Sequence, residues 1–220
     1  QEEMRAKLAR RGEDDFSYAV IAYYKQNTNL NGLNIAEAAE KMRGSRSLED
    51  QMELIFDVVS NGRPSGVFHG MSEEDLQTFM RHPNTMFAAD SGVRRYQEGV
   101  PHPRGYGNNA RVLHRYVQQE KVLRLEEAIR RMTSLPAATF RIPKRGQVEA
   151  GFWADLVIFD PATIRDTATF TDPHHYPEGI EHVLVNGIPV IRGGAQTGTR
   201  PGQALKKPSA HLPRADATGG

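Results

Sequence analysis

Apolar residues fall first into a helical rhythm. After Ser47, the positions Leu48, Met52, Ile55, Phe56 and Val59 recur near the 3.6-residue period, with Ser47 as N-cap and Asn61-Gly62 as the stop. A second helix is predicted from Ser72, where Asp75 takes the place a capping box usually gives to Glu or Gln, and Leu76, Phe79 and Met80 form its inward stripe before Pro83. A third runs from about Ala110 to Gln118, and a fourth carries Leu125, Ala128, Ile129 and Met132 on one face until Pro136. Between the second and third lies TMFAAD, residues 85–90, short, apolar and bounded by turn residues. That run reads as a strand buried on both faces, as parallel strands are.

Past Pro143 the pattern changes. The runs ADLVIFD (154–160) and HVLVNGIPVI (182–191) alternate as short strands, the second folded on itself at Asn186-Gly187, a strong hairpin signal. Helix-strand alternation gives way to short strands with Gly and Pro turns, which places a domain change near residue 142 and a strand-rich unit over 143–205. Trp153 and Phe152, just ahead of the first of these strands, read as packing aromatics. The last stretch, 206–220, has no periodicity and little to bury, so a loose tail is expected. The first 140 residues offer about four helices but one internal strand, whereas a closed barrel of alternating strands and helices takes about 250 residues and eight strands. Its remaining strands are expected from outside this chain.

Composition narrows the classes. With 220 residues, 38% hydrophobic and 25% charged, the chain suits one or two globular units. No apolar run approaches the roughly 20 residues of a membrane-spanning helix. A formal charge of +1, with both signs interleaved, leaves no electrostatic footprint for nucleic acid. The absence of cysteine excludes disulfides and thiolate metal sites but does not fix the compartment. Gln1 is not a start methionine and QEEMRAKLARRGEDD has no apolar segment of a leader, so the sequence reads as a piece of a longer protein.

In barrels of this kind function gathers at the carboxyl ends of the strands, and Asp90 occupies such an end. A carboxylate there suits either a hard or borderline cation or proton transfer, in partly dry surroundings that would raise its pKa. The alternative is an Asp that caps the next turn through its side-chain oxygen. No HExxH, Walker or GxGxxG pattern occurs. His69, His82, His102, His114, His174, His175 and His182 are scattered, and the adjacent His174 and His175 would point to opposite sides of an extended segment.

The runs MFAADSG, PHPRGYG, RVLHRYVQQEKVLRLEEAIRRMTSLPAATF and GQVEAGFWADLVIFDPATIRDTATFTDPHHYPEGIEHVLVNGIPVIRGGAQTGTRPG together resemble the C-terminal third of the N-acyl-D-amino-acid deacylases, or D-aminoacylases, of the amidohydrolase superfamily. The resemblance spans about Val67 to Gly202 and is weaker before it, resting there on SLEDQMELI. It implies an α/β fold: the C-terminal part of a metal-dependent hydrolase TIM-like barrel, followed by strands of a small β-sandwich formed from both ends of the whole chain. It further implies that Asp90 both binds the metal and carries the proton. In the implied reaction a metal-bound hydroxide attacks the amide carbon, while the aspartate takes a proton and hands it to the leaving amine.

The metal would be zinc, with most ligands outside this chain, since Asp90 alone cannot hold an ion that needs three or four protein ligands. The run His102-Pro103-Arg104 matches the family's HPR, whose arginine holds the substrate's α-carboxylate, so Arg104 and, beside it, His102 are the implied substrate-binding residues. Arg94 and Arg95 could compete for that role but match no family position. Ser91 before Gly92, and a longer segment between Asp90 and the HPR run, depart from the family pattern in ways that bear on loop shape and acyl-group preference.

The expectation is therefore a chain that hydrolyses N-acyl-D-amino acids to a carboxylate and a D-amino acid together with its N-terminal part as partner. The alternatives are a related amidohydrolase for another amide, cyclic amide or D-dipeptide, and a non-catalytic fragment or binding module.

Overall fold

A computed structural model of the chain describes residues 1–93 and 95–206. Of the expected tail, everything past Lys206 lies outside the described residues, as does Arg94.

The first core is assembled by α1 (Glu2–Arg11), β1 (Ala19–Tyr23), α2 (Ile35–Arg43), α3 (Leu48–Ser60) and β2 (Ser65–Phe68), with β1 and β2 paired antiparallel. Leu8, Phe16, Ile21, Leu30, Met52, Leu54 and Val58 are buried together, and Ala38 and Ala39 let α2 lie close in the same cluster. α2 opens with a complete capping box: the Asn34 side chain accepts from the Glu37 amide at 2.9 Å, and the Glu37 carboxylate accepts from the Asn34 amide at 3.0 Å. Ser47 caps α3 as its sequence predicts, accepting from the Asp50 amide at 3.2 Å. The buried face of α3 is rotated from the expected stripe, with Leu54 and Val58 inside and Phe56 and Val59 about half exposed. The cause is Gln51, fully buried: its carbonyl oxygen accepts from the Phe16 amide at 2.9 Å and its amide nitrogen donates to the Arg46 carbonyl at 2.7 Å. Satisfying a buried backbone amide and carbonyl outweighs placing two more apolar side chains inside.

The second core joins α4 (Glu73–Arg81), α5 (Arg104–Arg111), its π-helical continuation Val112–Gln119 and α6 (Leu125–Met132). Ser72 caps α4 at 3.1 Å from the Asp75 amide, and Met80 is buried, but Phe79 faces outward. Thr133, at φ −131° and ψ −85°, separates α6 from α7 (Ser134–Thr139). Pro136 falls in the first turn of α7, where its missing N–H costs nothing.

Residues 85–90 form no strand in this structure, contrary to the buried-strand expectation. A strand exists only by pairing, and among the described residues the run has no strand beside it: the Thr85 amide turns back to the His82 carbonyl at 3.1 Å, the Phe87 amide donates to the Arg131 carbonyl at 3.4 Å, and Phe87 packs against the second core.

β3 (Leu156–Phe159), β4 (Ile180–Val185), β5 (Ile188–Arg192) and β6 (Ala195–Gln196) form a four-stranded antiparallel sheet in chain order. Asn186 and Gly187, at φ 51° and 81°, make the predicted two-residue turn. Phe159, Ile164 and Ile180 reach into the second core, while Val157, Ile158 and Ile188 remain about half exposed. Trp153 is not core: it is half exposed, with the Arg145 guanidinium 5.3 Å from its ring. No helix is long and apolar enough to cross a membrane among the described residues.

Candidate active site

The run into Asp90 is held by the end of α6. The buried Arg131 guanidinium donates to the Met80 carbonyl and to Glu127, and Arg130 donates to the Pro83 carbonyl at 2.7 Å. Glu127, gripped by Arg130 and then by Arg131, has its pKa held down to about 2, so this clamp stays charged. Beyond it the chain turns at Asp90 through φ 45°, a left-handed conformation that Asp tolerates better than most residues.

Arg104 opens α5, and its backbone amide donates to His102 Nδ1 at 3.1 Å. From there its guanidinium reaches back across 14 residues: Nη2 donates to both the Asp90 carbonyl and the Asp90 Oδ2, each at 2.9 Å. The fold thus brings Asp90, His102 and Arg104 together. Gly105 permits the approach, because a Cβ there would sit 2.7 Å from Ser91 Oγ. Among the described residues no amide of the next turn donates to the Asp90 side chain, which is 88% exposed rather than in the partly dry setting expected of it. No strand flanks it among the described residues. Burial pushes the His102 imidazole below its ordinary range, with Arg104, His69 and Arg111 adding to the effect, so the ring favours its neutral form.

Beside this pair opens a cleft of about 350 Å³ whose walls include Ser91, Val93, Tyr96, Tyr106 and Tyr176. His174 organises it. Its Nε2 lies 2.8 Å from the Gly99 carbonyl, its Nδ1 lies 2.7 Å from the Tyr106 hydroxyl and accepts from the Gln97 amide at 3.2 Å, and its own carbonyl accepts from the Tyr96 hydroxyl at 3.1 Å. A carbonyl only accepts, so Nε2 carries the proton and Nδ1 is the acceptor for Tyr106. Tyr96 and Tyr176 stack at 5.5 Å with 8° between planes. His175, by contrast, pairs outward with Asp172 at 2.7 Å, so the adjacent histidines do face different ways. The loop carrying them is pinned to α5 and its continuation by Asp166, which Arg111 holds at 2.9 Å and His114 approaches at 3.5 Å.

These aromatic contacts span more than 70 residues of sequence, and periodicity gives no sign of them. The signal was the His and Tyr content of TFTDPHHYPEG, which marks a resemblance without assigning a contact. Arg95 begins a turn in which its carbonyl accepts from the Glu98 amide at 3.3 Å. Among the described residues no group of three or more His, Asp or Glu side chains could hold a metal ion. The residues present therefore do not fit a zinc site by themselves.

A family model described as "Amidohydrolase family" matches residues 36–191. A D-aminoacylase of Alcaligenes xylosoxydans xylosoxydans is 38% identical over 192 residues, 87% of this chain and 37% of that protein. An N-acyl-D-aspartate deacylase of the same organism is 33% identical over 91% of this chain and 37% of its own length. Among solved structures, a D-aminoacylase described with a binuclear metal center superposes with a TM-score of 0.70 at 36% identity, over 82% of this chain and 36% of that one. An N-acyl-D-glutamate deacylase from Bordetella bronchiseptica, complexed with zinc and a phosphonate inhibitor, superposes at 0.69 with 31% identity, over 80% of this chain and 35% of that one. The chain thus spans little more than a third of the length of these relatives.

Proposed function

Because the chain belongs to the amidohydrolase family, we propose that it is the C-terminal part of a zinc-dependent hydrolase that cleaves N-acyl-D-amino acids to a carboxylate and a free D-amino acid. The observation that carries this reading is the Arg104–Asp90 pair at 2.9 Å, on the two motifs that resemble the deacylases, whose sequence neighbours Ser91, His102 and Gly105 line a cleft. Arg104 binds the substrate's α-carboxylate, with His102 bracing the turn that presents it. Asp90 takes a proton from the attacking water and returns it to the departing amine. The two roles are compatible because the pair is exposed and worth roughly 0–1 kcal/mol, so an incoming carboxylate can take the place of Asp90 on the guanidinium.

Asp90 is also this chain's contribution to binding zinc, whose other ligands, by this reading, belong to the N-terminal part of the enzyme. Residues 1–142 complete a TIM-like barrel with that part, and residues 143–205 contribute strands of a small β-sandwich. Val157 and Ile158, consecutive on β3 and so on opposite faces of the sheet, are both half-exposed, as is Ile188, which supports a sheet covered further in the whole protein.

The test uses the whole enzyme with zinc. Free amino acid should be released from N-acetyl-D-amino acids, and Asp90→Asn should lower kcat by about 10²–10⁴-fold with the circular dichroism unchanged. Undiminished turnover by that variant would remove Asp90 from the chemistry.

A further inference from the structure

We propose that His174 is a positioning residue for Arg104: it fixes the first turn of α5 from the side opposite Asp90 and so sets where the guanidinium stands. This deepens the deacylase reading and rests on it for the role of Arg104. The turn has little to hold it locally. Its N-cap, Pro103, has no side-chain acceptor, and Tyr106 lies between Gly105 and Gly107, residues of the weakest helix former after proline. Gly107, at φ −124° and ψ 15°, already departs from helical angles. His102 accepts the Arg104 amide, but that bond lies within the turn and does not tie it to the rest of the molecule. The exposed Arg104–Asp90 pair adds little of its own.

Two positions along a helix turn through roughly 200°, so Arg104 and Tyr106 leave it on opposite sides. Arg104 reaches Asp90 at 2.9 Å, and the Tyr106 hydroxyl donates to His174 Nδ1 at 2.7 Å. The same Nδ1 accepts from the Gln97 amide at 3.2 Å, and Nε2 donates to the Gly99 carbonyl at 2.8 Å. One ring, in one tautomer, thus joins α5 to the segment between Asp90 and the HPR run. The loop that presents it is itself anchored, since Arg165 and Glu178 exchange backbone hydrogen bonds at 3.2 and 3.0 Å and Pro173 is fully buried. It meets the turn again at Phe170, whose ring lies 4.9 Å from that of His102. The glycine that weakens the turn also admits the loop, because a Cβ on Gly107 would sit 2.8 Å from the Asp166 Cβ.

The test uses the zinc-loaded whole enzyme and whichever N-acetyl derivative of D-alanine, D-phenylalanine or D-glutamate the wild type turns over fastest. His174→Ala should raise KM about tenfold and change kcat much less, because the carboxylate is gripped alike in the ground and transition states. His174→Asn keeps an acceptor where Nδ1 stood and should recover most of the loss. His174→Gln reaches Gly99 with a donor but leaves no acceptor beside Tyr106, and should not. In an Arg104→Ala background, His174→Ala should cost less than about twofold in kcat/KM, since the two residues act as one unit. The same loss with and without Arg104, or an unchanged KM, would overturn the proposal. Should His174→Ala not fold, equal KM values for the Asn and Gln variants overturn it. If the wild type hydrolyses none of the compounds, the deacylase reading fails. Positioning is then judged by amide hydrogen exchange: His174→Ala must speed exchange at Tyr106 and Gly107, whose amides bond to the Pro103 carbonyl, but not in α3, and unchanged exchange overturns it.

Discussion

At the residue scale the candidate site groups are held by hydrogen bonds to backbone atoms as much as to one another. Asp90 is delivered by Arg130 and Arg131, which fix the carbonyls of Pro83 and Met80 and share Glu127. Glu127 titrates at about 2 against an ordinary value of 4.5, because the charged form receives the hydrogen bonds of Arg130 first and Arg131 second. A depressed carboxylate pKa stabilises the fold above the unfolded value and ceases to do so as pH falls through the folded one. Glu127→Gln should therefore unfold at lower urea than wild type at pH 7, with the gap constant down to about 4.5 and narrowing from there toward 2. A gap that persisted undiminished at pH 3 would mean that the carboxylate's charge is not what holds the clamp. Arg104 and Asp90 stood out as candidates in the sequence because each sits in a short motif that carries the resemblance. Their direct pairing did not, because it depends on α5 starting where it does and on Gly105 letting Ser91 come close.

Elements were legible where their cause is local. Ser47 and Ser72 accept the amides their spacing predicts, and Asn186-Gly187 takes the left-handed angles its hairpin needs. They were illegible where the cause is remote. The run 85–90 is apolar enough for a strand, but strands need neighbours, and β1 went unread because its partner β2 lies more than 40 residues on. Glycine positions separate the two kinds of cause. Gly187 and Gly179 share φ near 80°, but a Cβ on Gly187 meets nothing within 4 Å, whereas on Gly179 it would lie 2.5 Å from the Ile164 backbone nitrogen. Ile164 is buried in the second core and cannot retreat cheaply. Gly187→Ala should thus cost only the left-handed penalty, about 1–2 kcal/mol. Gly179→Ala should cost visibly more in the same urea titration, and equal losses would show that the turn before β4 yields more easily than its packing suggests.

At the scale of the whole molecule the two cores differ in completeness. The first closes within residues 8–58, around Gln51 and the paired alanines of α2. The second draws Phe159, Ile164 and Ile180 from the strand-rich region onto α5 and α6, yet the same sheet leaves Val157, Ile158 and Ile188 to solvent. Val157 and Ile158 are consecutive on β3 and point to opposite faces, which leaves apolar surface for another part of the protein to cover. In the proposed enzyme the N-terminal part does so, which makes assembly measurable apart from catalysis. The 220-residue chain alone should bind a hydrophobic dye such as ANS, and the whole enzyme should bind less per molecule despite its greater size. Val157→Asp should keep the sheet's own backbone pairing with Val183, because that side chain is exposed here, while weakening recovery of activity when the two parts are combined. Equal recovery by wild type and Val157→Asp would place the covering surface elsewhere and leave this sheet face solvated in the complete protein.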